Sequence, residues 1–334
     1  MTEADLAALG VVRIPIPVPF PQAGGPVNVY LVDDADGGLL LFDAGLGSPE
    51  AEAALADGFA RAGRRFDEVR RIVLSHGHVD HYGAARTVQE RSGRAVPVFV
   101  HPADASKVAE SGWRWKERLP QYAAYLARLG VPAEALAEMS GGLGSGFSLA
   151  RRLAEVHPIT EGEVLRTRRL ALHALHLPGH TPGMICLWEP HHRLLFSADH
   201  LLEKVSPNPI IELGPAGEEG VWRPLVAYLS SLARARELDA ALVLPGHGAP
   251  FADHRKVIDG LIGFYEKRQG KIRAALEEAP RTGWEVTRAL FPSVRPNDLF
   301  LAISESMANV EVLESRGEVE RALEGGTYRF RLAA

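Results

Sequence analysis

Residues 71–86, RIVLSHGHVDHYGAAR, decide how this chain is read. Ile72, Val73 and Leu74 form a short apolar run of the kind that makes a buried strand. Four side chains able to bind a metal then follow within six residues: His76, His78, Asp80 and His81. Gly77 lets the backbone turn tightly between the first two. Two imidazoles spaced two apart can converge from a turn on one ion. Asp80 and His81 can reach a second ion from the start of the helix that the spacing predicts through Arg86 and Glu90. Imidazole and carboxylate donors suit zinc, iron or manganese.

Working outward, three more apolar stretches end on candidate ligands. These are His180 in LPGHTPG (177–183), Asp199 in LFSADH (195–200) and His247 in LPGHG (244–248). A lone histidine beside a glycine would say little. Four strand ends bearing donors argue against a merely polar loop, because the C-terminal ends of strands are where α/β proteins build their sites. Asp43 closes a further strand in LLLFDAGLG (39–47).

The surrounding pattern is α/β. Strands are expected at 27–32, 38–42 and 96–100 and repeatedly across 153–199, with helices at 49–64 and 221–237. Pro15, Pro17, Pro19 and Pro21 would each remove a ladder hydrogen bond, which suits a sheet edge or an extended arm. Residues 103–152 are polar and mostly helical, with Trp113, Trp115, Tyr122, Tyr125 and a glycine-rich loop at 140–146. They look like an insertion, either a lid or a helical pair on the sheet edge. Their aromatics would form an apolar wall for substrate or a small core of their own. Beyond Asp253 helices are expected at about 254–279, 283–291 and 298–315. Two strands then flank Glu324-Gly325-Gly326, as in a small winged-helix-type module.

Composition sets bounds. With 46% hydrophobic and 24% charged residues among 334, this is an ordinary globular chain. The formal charge of -5 gives no global attraction to nucleic acid or anionic lipid. The single cysteine, Cys186, excludes an internal disulfide framework and fits a cytoplasmic setting. The start, MTEADLAALG, lacks the basic region of a signal peptide, and no apolar run is long enough to span a membrane.

The set His76-x-His78-x-Asp80-His81 with His180, Asp199 and His247 resembles the metallo-β-lactamase superfamily, over roughly residues 10–258. The resemblance implies a four-layer αβ/βα sandwich. It implies that His76, His78 and His180 hold one metal and that Asp80, His81 and His247 hold the other. Asp199 would bridge them beside a hydroxide, and Asp43 would orient a ligand without binding metal. The C-terminal segments, together with DHLL (199–202) and SPNP (206–209), resemble a glyoxalase II-like subgroup that carries an appended winged-helix-like domain. On that basis the domains are 1–258, with the insertion at about 103–152, and 259–334.

The expected activity is two-metal hydrolysis of an ester or thioester in a small molecule, with zinc the first choice of ion and Asp80 or Asp199 assisting proton movement. Endoribonuclease action and iron-dependent persulfide oxidation are the alternatives. Residues 259–334 hold 11 Lys+Arg against 12 Asp+Glu, which makes a phosphate-binding surface there an unfavoured reading. Arg114, Lys116, Arg118, Arg151 and Arg152 are the residues that could supply a basic patch. Tyr82 and His200 are secondary candidates for substrate contact. A homodimer is compatible with the sequence.

Overall fold

The computed structural model describes residues 1–109, 113–140, 149–214, 217–220 and 222–333. The loop at 141–148 and the side chains of Trp113, Arg114, Trp115 and Lys116 lie outside the described residues. In chain order the elements begin α1 (Glu3–Ala8), β1 (Val11–Ile16), β2 (Val27–Asp33), β3 (Leu39–Phe42), α2 (Pro49–Arg61), β4 (Val69–Val73), α3 (Val79–Tyr82), α4 (Ala85–Ser92), β5 (Val98–Val100) and α5 (Pro102–Ala109). They continue with α6 (Trp113–Arg128), α7 (Ala133–Ser140), β6 (His157–Pro158), β7 (Val164–Arg166), β8 (Ala171–His176), β9 (Ile185–Glu189), β10 (Leu194–Ala198), α8 (Pro224–Arg236) and β11 (Leu242–Pro245). The last are α9 (His254–Glu278), β12 (Arg281–Thr282), α10 (Gly283–Leu290), α11 (Leu299–Ser315), β13 (Val319–Glu324) and β14 (Thr327–Leu332).

The chain divides into two compact units. One comprises Met1–Trp113, Gly146–Pro207 and Arg234–Val257; the other comprises Arg114–Ser145, Asn208–Ala233 and Ile258–Ala334. The first is an α/β sandwich of two mixed sheets. Strands β1 to β6 lie in chain order in one sheet, antiparallel from β1 to β3 and parallel from β3 to β6. The other sheet runs β11-β10-β9-β8-β7, with β10 and β11 parallel and the remaining pairs antiparallel.

Strand β2 shows why these segments are so apolar. Every residue from Val27 to Val32 is buried, because both faces of the strand are covered. Val27, Val29 and Leu31 pack with Leu55 and Phe59 of α2 and Val88 of α4. Tyr30 takes the opposite face and meets Phe196 of β10 edge-on, with 5.3 Å between ring centroids. Phe42 meets the same ring at 6.0 Å. Pro15 sits in the edge strand β1 opposite Asn28, where a missing N–H is tolerated.

The second unit has its own core, in which Tyr122, Tyr125 and Leu126 of α6 pack with Ile211, Ile272, Ile303 and Phe330. The two tyrosines are therefore core residues. Helix α11 is buried from Ala302 to Leu313, polar positions included. Asn309 Nδ2 donates to the Glu305 carbonyl at 2.8 Å, Ser306 Oγ donates to the Ala302 carbonyl at 2.8 Å, and Arg268 pairs with Glu305. The unit ends in a small antiparallel sheet ordered β12-β14-β13. Its two-residue strand β12 leads through Thr282, which caps α10 in a reciprocal box with Glu285. Among the described residues no helix is long and apolar enough to cross a membrane.

Candidate metal centre

The predicted site residues lie at or just beyond the ends of strands in the first unit. Asp43 follows β3, and His76 and His78 occupy the turn after β4. Asp80 and His81 fall in α3, the short helix that the turn enters. His180 lies in the loop joining β8 to β9, Asp199 follows β10, and His247 follows β11. The last loop is pinned from β2: Asn28 Nδ2 and Tyr30 Oη donate to the Pro245 carbonyl at 2.9 and 2.8 Å, and Asn28 N donates to the Gly246 carbonyl at 2.7 Å.

The seven donors come together in three overlapping groups: His76, His78 and His180; His76, His81 and Asp199; and Asp80, His81 and His247. Within each group one ligand atom per residue lies within 4.8 Å of the others. His76 Nε2 faces His78 Nδ1 at 3.0 Å. His247 Nε2 is 3.3 Å from Asp80 Oδ2. Asp199 is central: its Oδ2 lies 3.5 Å from both His180 Nε2 and His247 Nε2, and its Oδ1 lies 3.4 Å from His81 Nε2. Gly246 makes room for this carboxylate. A Cβ there would overlap Asp199 Oδ1 and come within 3.0 Å of His81 Cε1.

Asp43, at a left-handed φ of 61°, organises the approach from behind. Its Oδ1 accepts from Ser75 N at 2.7 Å, and its Oδ2 accepts from Ser75 Oγ at 2.8 Å and from His81 Nδ1 at 2.8 Å. A carboxylate oxygen can only accept, so the proton of His81 is drawn to Nδ1 and Nε2 is turned toward Asp199. Ser75 Oγ spends its hydrogen on Asp43 and so accepts from His76 Nδ1 at 2.9 Å, which leaves His76 Nε2 as the bare nitrogen.

Burial, then the neighbouring His81, hold the His76 imidazole well below its ordinary pKa. Burial and His180 take His78 down to about 3. Burial works against ionisation of Asp80, yet His81 and His247 bring it to about 2. Burial is likewise overcome at Asp199, where His247 and His81 hold the carboxyl below the usual range. At His81 burial opposes charge, but Asp199, Asp43 and Asp80 raise the pKa well above the ordinary value. Around neutrality His76 and His78 are thus neutral and the two aspartates ionised, the states in which such groups donate electron pairs to a cation. His81 Nε2 and Asp199 Oδ1 are buried and face each other at 3.4 Å, with no hydrogen bond to any other group. A pair of buried polar atoms left in this way fits a cation between them.

Outside these groups, Tyr82 and His200 are fully buried. His254 begins α9 and its Nε2 meets the Leu238 carbonyl at 2.9 Å. Cys186 is buried in β9 and its thiol donates to the Ser197 carbonyl at 3.3 Å. Sequence reasoning missed Asp104, Ser75 and Thr181. An aspartate in the first turn of a helix reads as a routine favourable charge at a helix start, and only its depth distinguishes Asp104, which is fully buried. Of the arginines considered for a basic patch, Arg151 is engaged by both oxygens of Glu90, and Arg118 donates to the carbonyls of Leu213 and Gly214.

Residues 23–247 match the family model for the metallo-beta-lactamase superfamily. The chain belongs to that superfamily. A Bacillus subtilis relative named Probable metallo-hydrolase YqjP is 33% identical over 325 residues, spanning 96% of this chain and 97% of that protein. The crystal structure of a metallo-beta-lactamase family protein from Thermus thermophilus aligns with a TM-score of 0.79 at 30% identity, over 97% of this chain and 98% of that one. A beta-lactamase domain protein from Burkholderia ambifaria shares the fold, with a TM-score of 0.83 at 23% identity over 97% of this chain and 92% of that one. A dinuclear cluster of histidines and aspartates on a metallo-beta-lactamase fold makes this chain a metal-dependent hydrolase.

Proposed function

We propose that the chain hydrolyses an ester or thioester bond in a small molecule, in the manner of the glyoxalase II-like subgroup, with two divalent cations that are zinc by preference. His76, His78 and His180 would hold one cation and Asp80, His81 and His247 the other, with Asp199 shared. The observation that carries this reading is the overlap of the three donor groups. A donor set of imidazoles and carboxylates without thiolate suits zinc and iron alike.

Bound there, two cations would supply Lewis-acid polarisation of the scissile carbonyl and a water acidic enough to ionise near neutrality. The chain's own residues prepare that chemistry. Asp43 and Ser75 fix the orientation and protonation of His81 and His76, so that Nε2 of each ring is directed inward. Asp80 and Asp199 are ionised and can each accept a proton on a carboxylate oxygen. Either could pass a proton toward a leaving thiolate or alkoxide.

We read the C-terminal segment as winged-helix-like. The order α9, β12, α10, α11, β13, β14, with β14 central in the sheet, supports that reading. It gives the nuclease alternative its footing, since such modules often touch nucleic acid. Charge pairing supports the small molecule instead. Arg273, Arg321 and Arg331 of this segment are each paired with a carboxylate, those of Glu318, Glu314 and Glu320, and so offer little free charge to a phosphate backbone.

The test is to purify the protein without added metal, measure its metal content, and assay it on a thioester, a lactone, a β-lactam, a phosphodiester and a short single-stranded RNA. Two metals per chain with thioester or lactone turnover that disappears in Asp199→Asn is the expected result. RNA cleavage without thioester activity would replace this reading with a nuclease. One iron per chain without hydrolysis would replace it with persulfide oxidation.

A further inference from the structure

Behind the three-histidine group lies a carboxylate that the hydrolytic chemistry does not use. Asp104, on α5, is fully buried. Its Oδ2 accepts from Gly77 N at 3.0 Å and from Thr181 Oγ1 at 2.6 Å. Its Oδ1 meets Lys107 Nζ, one turn further along the helix, at 3.1 Å. Gly77 is the residue between His76 and His78, and Thr181 follows His180. A single oxygen atom therefore joins two loops more than a hundred residues apart in the chain, each at the position adjoining its ligands.

The packing agrees. A Cβ on Gly183 would come within 2.7 to 2.9 Å of the Asp104 Cγ, Cβ and backbone N, so the loop carrying His180 rests directly on this side chain. Thr181 is itself fully buried. The first residue of β9, where the His180 loop ends, also bonds the other loop: Ile185 N donates to the Ser75 carbonyl at 2.8 Å. That bond does not involve Asp104, so it is a second tie between the loops that a change at Asp104 leaves unaltered in chemistry.

We propose that Asp104 is a positioning residue that sets the mutual placement of His76, His78 and His180, and through them the affinity for one of the two cations. The proposal rests on these three histidines being ligands of one ion. Partners one step behind metal ligands typically change affinity by about 10- to 100-fold when altered. A hydrogen-bonded anion is well suited to the role because its bonds to N–H and O–H donors are short and directional.

The experiment is to strip the protein of metal and titrate it with zinc and with cobalt(II) against a chromophoric chelator, resolving the two binding steps and recording the cobalt absorption spectrum. Asp104→Asn keeps the volume but removes the charge, and Thr181→Val removes one strut. In Asp104→Asn the affinity of the three-histidine group is expected to fall about 10- to 100-fold with an altered cobalt spectrum. The affinity of the Asp80, His81 and His247 group is expected to change by less than about threefold. Thr181→Val is expected to shift the same step in the same direction by about threefold to tenfold. Unchanged affinities in Asp104→Asn, or an equal loss at both steps as a general loosening would give, overturn the proposal. Should Asp104→Asn not accumulate as folded protein, Thr181→Val decides, and parent-like affinity at the three-histidine step overturns it. A parent protein that binds no ion would instead remove the metal reading on which this one stands.

Discussion

Replacing Asp43 by asparagine tests the reading of the metal centre at a residue proposed to orient a ligand without binding the cation. The oxygen of the new amide would keep the bond from Ser75 N, leaving an NH2 group where Asp43 Oδ2 now accepts from Ser75 Oγ and His81 Nδ1. The Ser75 hydroxyl oxygen has two lone pairs and can accept from this NH2 while still accepting from His76 Nδ1. The imidazole can accept only by moving its proton from Nδ1 to Nε2, the atom directed at Asp199. A cation at that nitrogen then has to displace the proton and leave two donors facing each other behind it. Loss of a hydrogen bond to a charged group costs about 1.5–3 kcal/mol, and each 1.4 kcal/mol is about tenfold in affinity. The expected result is a roughly 10- to 100-fold weaker affinity for the ion assigned to Asp80, His81 and His247, read by competition titration of the stripped protein. Ser75→Ala should behave differently. It removes the acceptor of His76 Nδ1, a neutral bond worth about 1 kcal/mol, so the loss should be about fivefold and fall on the three-histidine group. If both variants weaken the same step, or Asp43→Asn binds both ions like the parent, the tautomer assignment is wrong.

Gly246→Ala should leave a folded protein whose turnover is about a hundredfold lower, because the new methyl displaces Asp199 from its contact with His81. Parent-like kcat with an unchanged circular dichroism spectrum would contradict that. Glu311, buried in α11, is pushed up from the ordinary 4.5 to about 7 by burial, which Arg321 opposes and Glu314 reinforces. The folded state therefore binds this proton more tightly than the unfolded state. Stability is fully present below about pH 4.5 and lost as the pH rises toward 7. At about 1.4 kcal/mol per pH unit the loss is about 3 kcal/mol. Glu311→Gln should accordingly match the parent near pH 4.5 and melt higher than it at pH 8. An equal difference at both values would refute the assignment.

The metal centre was legible because its donors are punctuated. Each stands at the end of an apolar run, and the pattern His76 to His81 is too dense to be incidental. The sandwich was legible for a related reason, since strands covered on both faces, like β2, leave uninterrupted apolar runs. The supports behind the donors were hidden. Asp104 and Thr181 are joined only in space, and nothing in the local sequence distinguishes a buried carboxylate from an exposed one. Residues 199–223 carry no periodic signal and form no regular element among their described residues. Strand β12 is only two residues long and exists because β14 pairs with it, a long-range event that local spacing cannot announce. Tyr122 and Tyr125 could be read from sequence as a substrate wall or as a core. The choice between these depended on Ile211, Ile303 and Phe330, which come from far along the chain.

That last core has a consequence for how the protein is made. Its apolar side chains come from three separated stretches, the last of which reaches Phe330. At a synthesis rate of about 5–20 residues per second, the helix bearing Tyr122 and Tyr125 leaves the ribosome roughly ten or more seconds before its final packing partners exist. During that interval two tyrosines and a leucine that end up almost wholly enclosed stand in water on a nascent chain. A chain halted before Phe330 would hold out an apolar helix face whose covering side chains do not yet exist.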